Sequence, residues 1–186
     1  KFPSIGQEAI VFAKGGYLFT YDLTSGEVEK VRVTLSNDQV GPGHKRVDAS
    51  DFKENHHLAP DGSRIATIGR GDVFSLPTEE GITYNLTQSQ GVHNRKVRWA
   101  PDGKHLAFIS DRTKEDEVYV MDANGSDVQQ LTEGNEEYKY HLRWSPDSKK
   151  ILFANKQNKL KYVEVSSGDV VEVDHSRQFE FGDYRW

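Results

Sequence analysis

An all-β chain built from repeated four-stranded antiparallel units is the fold class this sequence predicts, on three observations. The first is internal repetition: Leu58-Ala59-Pro60-Asp61-Gly62, Trp99-Ala100-Pro101-Asp102-Gly103 and Trp144-Ser145-Pro146-Asp147-Ser148 set their prolines 41 and 45 residues apart. The second is the short apolar, β-prone run after each turn: Ile65-Ala66-Thr67-Ile68, Leu106-Ala107-Phe108-Ile109 and Ile151-Leu152-Phe153-Ala154. The third is that no segment carries apolar residues at helical spacing over a helical length, while turn residues interrupt the chain roughly every 8 to 12 positions.

Each unit can be built strand by strand. Proline presets the first corner of the turn and glycine takes the far one, so the Pro-Asp-Gly motif joins a first strand to a second. A third strand follows as Val73-Phe74-Ser75-Leu76, Val118-Tyr119-Val120-Met121 or Lys161-Tyr162-Val163-Glu164-Val165, and it ends at a turn carrying Gly81, Gly125 or Gly168. The fourth is Thr83-Tyr84-Asn85-Leu86-Thr87, then Val128-Gln129-Gln130-Leu131-Thr132, with Leu-Thr recurring after 45 residues. Four strands in about 43 residues is the arithmetic of a β-propeller blade.

The start of the chain fits the same template through Ala9-Ile10-Val11-Phe12-Ala13, Tyr17-Leu18-Phe19-Thr20-Tyr21-Asp22 and the Thr24-Ser25-Gly26 turn, with its first strand missing or vestigial. At the other end Tyr184-Arg185-Trp186 repeats Val97-Arg98-Trp99 and Leu142-Arg143-Trp144. About four blades result, an incomplete part of a larger propeller. Residues 1–53 are the first blade plus an inserted loop, 54–95 the second, 96–139 the third, 140–182 the fourth, and 183–186 the start of another. Residues 36–54, with Gly41-Pro42-Gly43-His44, read as an insertion over one face. Open strand edges and apolar end faces predict self-association, or closure by residues 178–186 acting as first strand of the opening blade.

Composition narrows the function classes. At 186 residues, 35% hydrophobic and 28% charged, the chain has no apolar run near the roughly 20 residues that span a bilayer, so a membrane role is not expected. The formal charge of −5, with Lys and Arg scattered among acids, argues against nucleic acid as partner. Cysteine is absent, which excludes disulfides, thiolate metal sites and a cysteine nucleophile. The beginning at Lys1 without Met, and the stop within a repeat, predict a segment of a longer chain.

No catalytic residue is expected. Seven histidines and many serines invite a search for a triad, but no Gly-x-Ser-x-Gly elbow is present. His56-His57 and Asp122-Ala123-Asn124-Gly125-Ser126-Asp127 are weak metal candidates: the loop lacks the closing Glu of a calcium site and reads as a hairpin turn, so no metal and no cofactor are expected. Trp99, Trp144 and Trp186 recur at one template position and read as inter-blade packing. The candidate functional residues are His93, Asn94, Arg95 and Lys96, a polar cluster ahead of a first strand, the innermost of a blade, where propellers place groups at the channel mouth.

Gly71-Asp72-Val73-Phe74-Ser75-Leu76-Pro77, Asn85-Leu86-Thr87, Gly91-Val92-His93-Asn94-Arg95, Trp99-Ala100-Pro101-Asp102-Gly103 and Ser110-Asp111, in that order and spacing, resemble the propeller region of tricorn-type serine proteases. The Trp-x-Pro-Asp-Gly repeat is shared with TolB-type propellers and those of prolyl oligopeptidase relatives; the stretch from Asn-Leu-Thr to Asn-Arg is the specific part. Leu58 in place of Trp and Ser148 in place of Gly depart from the template. The resemblance implies a non-catalytic segment that gates or filters peptides on the way to a catalytic domain outside this chain. Its expected partners are peptides and the remaining domains of the parent. Arg95 and Lys96 would then meet peptide carboxylates, and His93 and Asn94 peptide backbone. The parent is expected in the cytoplasm, or in the periplasm if bacterial. The alternative is a TolB-like or WD-type scaffold for a protein partner.

Overall fold

The computed structural model describes residues 3–33, 53–134, 138–178 and 180–186. The chain divides into two compact units, Lys1–Val47 and Asp48–Trp186. All described regular structure is β, in four antiparallel four-stranded meanders, each ordered as in the sequence.

The first unit holds β1 (Ser4–Ile5), β2 (Ala9–Lys14), β3 (Tyr17–Asp22) and β4 (Val28–Lys30). Lys14 pairs with Tyr17 across Gly15 and Gly16, both at positive φ, which is the two-residue turn that matches strand twist. Its first strand is short but its own: Ser4 pairs with Val11 and Ile5 with Ile10. That place is therefore not left for residues 178–186. The expected insertion lies outside the described residues through position 52, and Lys53 already opens β5.

The second unit holds three sheets. β5 (Lys53–Leu58), β6 (Arg64–Gly69), β7 (Asp72–Pro77) and β8 (Tyr84–Asn85) form one; β9 (Asn94–Trp99), β10 (His105–Ser110), β11 (Glu117–Asp122) and β12 (Gln129–Gln130) the next; β13 (Lys139–Trp144), β14 (Lys150–Asn155), β15 (Lys159–Glu164) and β16 (Val170–His175) the last. The second strands carry apolar residues on both faces because both faces are covered. Leu106 and Phe108 of β10 pack with Ile68, Val73 and Val97, while Ala107 and Ile109 pack with Leu142, Ile151 and Phe153.

The turns follow their chemistry. Gly62 and Gly103 sit at φ 75° and 70°. Ser148 takes the same conformation at φ 59°, and its Oγ accepts from the Asp102 backbone N–H at 3.0 Å, so the substituted turn gains a bond to the neighbouring sheet. The fourth strands β8 and β12 are shorter than the sequence suggests. Leu86 and Leu131 still donate to the carbonyls of Val73 and Val118, but the return bonds from Val73 and Val118 go to the hydroxyls of Thr87 and Thr132. The recurring Leu-Thr is a side-chain closure of the blade, and it ends the backbone ladder.

Sheet-to-sheet contact uses two further repeats. The Trp144 indole donates to the Arg98 carbonyl at 3.1 Å and the Trp186 indole to the Arg143 carbonyl at 3.0 Å. Gly125 lies against Leu86, where a Cβ would meet the Leu86 oxygen at 2.8 Å, and Gly168 faces the Leu131 oxygen at the equivalent position with more room, 3.4 Å from where a Cβ would be. Residues 181–186 form no strand, yet they lie along the last sheet. Tyr184 is packed with Leu152 and Ala154, its hydroxyl accepts from the Ala154 N–H at 2.9 Å and donates to the His141 carbonyl, and burial pushes its pKa up to about 12.

Candidate functional site

β9 and β13 are the first strands of their sheets and lie side by side, with β5 on the other flank of β9. Each carries a break in register, between the pairs at 107 and 109 for β9 and between 140 and 143 for β13, with Lys96 and His141 at positive φ in the two bulges. The bulge separates two chemically different ends of each strand.

At the N-terminal end the polar groups are buried and engaged. Asn94 is not a residue ahead of the strand but its first member, fully buried, donating from Nδ2 to the Gly71 carbonyl at 2.7 Å and to Ser89 Oγ at 3.1 Å. Ser89 and Thr87 in turn donate to Asp72, whose carboxyl is held low by hydrogen bonds from Asn85, Thr87 and Ser89 that outweigh its burial. One sheet later the same positions are ionic: Lys139, first residue of β13, pairs with Glu117, first residue of β11, at 3.0 Å with both side chains buried. Arg95 belongs to the same layer. Its guanidinium faces the Asp116 carboxylate without a well-directed bond from Nη2 and lies 4.2 Å from the Tyr138 ring centre. His93 is exposed, and its backbone N–H donates to Asp111 at 2.7 Å. Of the four residues singled out in the sequence, Asn94 is therefore a latch to the preceding sheet, Arg95 joins Asp116 of its own sheet to Tyr138 ahead of the next, and Lys96 sits in the bulge.

The C-terminal end is a row that recurs at one template position of the repeat. His57, Arg98, Arg143 and Arg185 each precede the template residue Leu58, Trp99, Trp144 or Trp186. All eight positions except Leu58 line one open cavity of about 500 Å³, joined by His56, Pro101 and Leu142. Arg98 donates from Nη1 to Asn55 Oδ1 and to its neighbour's carbonyl, both at 2.9 Å. Arg143 reaches the Leu142 carbonyl at 3.4 Å. Among the described residues the one carboxylate in ion-pair range of this row is Asp183, 3.6 Å from both Arg143 and Arg185 and itself 59% exposed.

This surplus positive charge marks the titrating groups. The Arg98 pKa is lowered by burial and by Arg143 beside it. His57 is lowered by burial, then by Arg98, Arg143 and His56, and stays a neutral acceptor for the Trp99 backbone N–H at 3.1 Å. His141 is lowered by burial, then by Lys96, Arg143 and Arg98. Trp99 Nε1 is buried without a hydrogen-bond partner, unlike the indoles of Trp144 and Trp186. The signal available beforehand was the Arg-Trp pair itself, three times in register.

Other sequence candidates resolve simply. Residues 122–127 close as a hairpin, with Gly125 N–H on the Asp122 carbonyl and Ser126 N–H on Asn124 Oδ1, both at 2.9 Å. Among the described residues no group of three His, Cys, Asp or Glu side chains is placed to hold a metal ion.

A family model for the second β-propeller domain of tricorn protease matches residues 53–186. A tricorn protease homolog of Saccharolobus solfataricus is 26% identical over 118 residues, 63% of this chain and 10% of that protein. The crystal structure of the tricorn protease superposes with a TM-score of 0.60 at 20% identity, covering 92% of this chain and 16% of its own. TolB from Acinetobacter baumannii gives a TM-score of 0.54 at 19% identity over 89% of this chain and 40% of its own, a likeness of fold. The chain thus spans about a tenth of the curated relative.

Proposed function

Because the chain belongs to the family of tricorn protease second β-propeller domains, we propose that it is the non-catalytic part of a tricorn-like serine peptidase that filters peptides on their way to a catalytic domain carried elsewhere in the parent. One observation carries the reading. The ends of consecutive first strands converge on a single open cavity of about 500 Å³ whose wall is contributed by every sheet of the second unit. A surface assembled from equivalent positions of successive repeats suits an extended ligand running across them, because each repeat offers the same contact one strand further on. No nucleophile and base are paired there, so the contribution is steric and electrostatic selection.

The test uses the parent enzyme with His56→Cys, an exposed cavity-lining position in a chain that has no cysteine of its own. Coupling a bulky maleimide to it should slow hydrolysis of long peptides severalfold and leave a dipeptide-sized reporter unaffected, relative to the parent treated with maleimide but lacking the substitution. Equal slowing of both substrates, or of neither, contradicts the reading.

A further inference from the structure

We propose that Arg98, Arg143 and Arg185, with His57 closing the row, form a carboxylate-binding ladder that engages acidic peptides through their C-terminal carboxylate or an Asp or Glu side chain. The proposal rests on the filtering reading for its ligand class, but its evidence is the local chemistry. Three guanidiniums and an imidazole come from four successive repeats and line the same cavity. Arginine's planar fork matches a carboxylate bidentately, and a row of forks along one cavity offers a carboxylate successive partners.

Two features make this a site rather than a solvated patch. The first is uncompensated charge. Arg98 is partly withdrawn from water and its stabilising contacts are neutral oxygens, with Arg143 close enough to disfavour its charge. A carboxylate placed between them relieves both desolvation and like-charge repulsion, more so beside the low-dielectric walls of Trp99 and Trp144. The second is an internal example of the ligand. Asp183 lies 3.6 Å from Arg143 and 3.6 Å from Arg185, a carboxylate bridging two adjacent rungs, whereas the pair Arg98 and Arg143 has no such bridge among the described residues. The acid is supplied by the chain at one step of the row and is left for a ligand at the next.

Isothermal titration calorimetry on the full parent protein tests this with N-acetylated D-alanine hexapeptides, which resist cleavage. One ends in a free carboxylate, one in an amide, and one in an amide but carries a central D-Glu. We expect at least one carboxylate peptide to bind about tenfold or more tightly than the neutral amide, the factor expected for one charge-assisted contact. Which of the two binds identifies the carboxylate recognised. Arg143→Gln should bring that affinity down to the amide level. Arg185→Gln should weaken it too, and with that side chain 83% exposed the substitution leaves folding intact. Indifference of binding to the carboxylate, no binding of either carboxylate peptide, or carboxylate affinity unchanged in both variants overturns the proposal. Carboxylate binding retained in a parent whose turnover ignores the cavity label overturns the filtering reading instead and leaves the ladder standing.

Discussion

The two ends of the same first strands, β9 and β13, carry opposite solutions to the problem of a charged side chain. At the N-terminal ends Lys139 meets Glu117, Arg95 meets Asp116 and Asn94 meets Gly71 and Ser89, all in buried surroundings. At the C-terminal ends Arg98 and Arg143 face an open cavity with neutral oxygens and, at the edge, a single exposed Asp183. Charge that is neutralised and dry holds sheets together; charge left without a counterion beside an opening is available to a ligand. The comparison teaches that a polar residue on an inner strand is assigned by its partner, not by its position near a mouth.

The largest effect should come from the dry end. Lys139→Ala leaves Glu117 buried without its cation and should destabilise the unit by about 3–5 kcal/mol in urea unfolding. Replacing both partners by methionine should recover most of that loss; an effect of the single change below about 1 kcal/mol would place Lys139 outside the latch. Next comes the close approach of sheets at Gly125, which has φ 89° and no room for a Cβ near Leu86. Gly125→Ala should lower stability by about 1–3 kcal/mol, read from the same unfolding curve, and a neutral result would mean that the hairpin moves away from Leu86 freely.

The wet end responds to pH. His57 and His141 both have folded pKa values below the usual 6.5, so the unfolded chain binds their protons first. Their neutral forms stabilise the fold fully above about pH 6.5, and that contribution is lost as pH falls through the lowered folded values. The melting temperature should therefore drop across this window, and His57→Asn should flatten the drop; an unchanged slope in that variant would show that His57 does not titrate against the arginines. The smallest effect is the most diagnostic. Arg143→Gln removes a charge that repels Arg98 and gives up only a 3.4 Å backbone contact and a 3.6 Å ion pair with the exposed Asp183, so stability should change by no more than about 0.5 kcal/mol. Serious destabilisation would turn the ladder into a structural feature.

The blades were legible in the sequence because their determinants are local. A Pro-Asp-Gly turn and the apolar run after it lie within ten residues of each other, and Gly15-Gly16 closes its hairpin by itself. The fourth strands were overdrawn because the Thr87 and Thr132 hydroxyls replace backbone acceptors, which a propensity pattern does not register. The site was legible only in part. Arg98, Arg143 and Arg185 were visible as a repeat, but that they share a cavity follows from sheets stacking at separations of more than forty residues, as in the bond from Trp144 to Arg98. Asn94 and Arg95 looked available for the same reason: their partners Gly71 and Asp116 are about twenty residues away along the chain.

The central claim is that the unneutralised row selects what enters. It is tested most directly by the ratio of kcat/KM for two long peptides differing only by Glu against Gln at a position away from the cleaved bond, measured in the parent enzyme and in its Arg98→Gln, Arg143→Gln double variant. The account predicts a preference for the Glu peptide that falls to about unity in the variant, with turnover of a dipeptide-sized reporter unchanged. A preference that survives the loss of both arginines would contradict it.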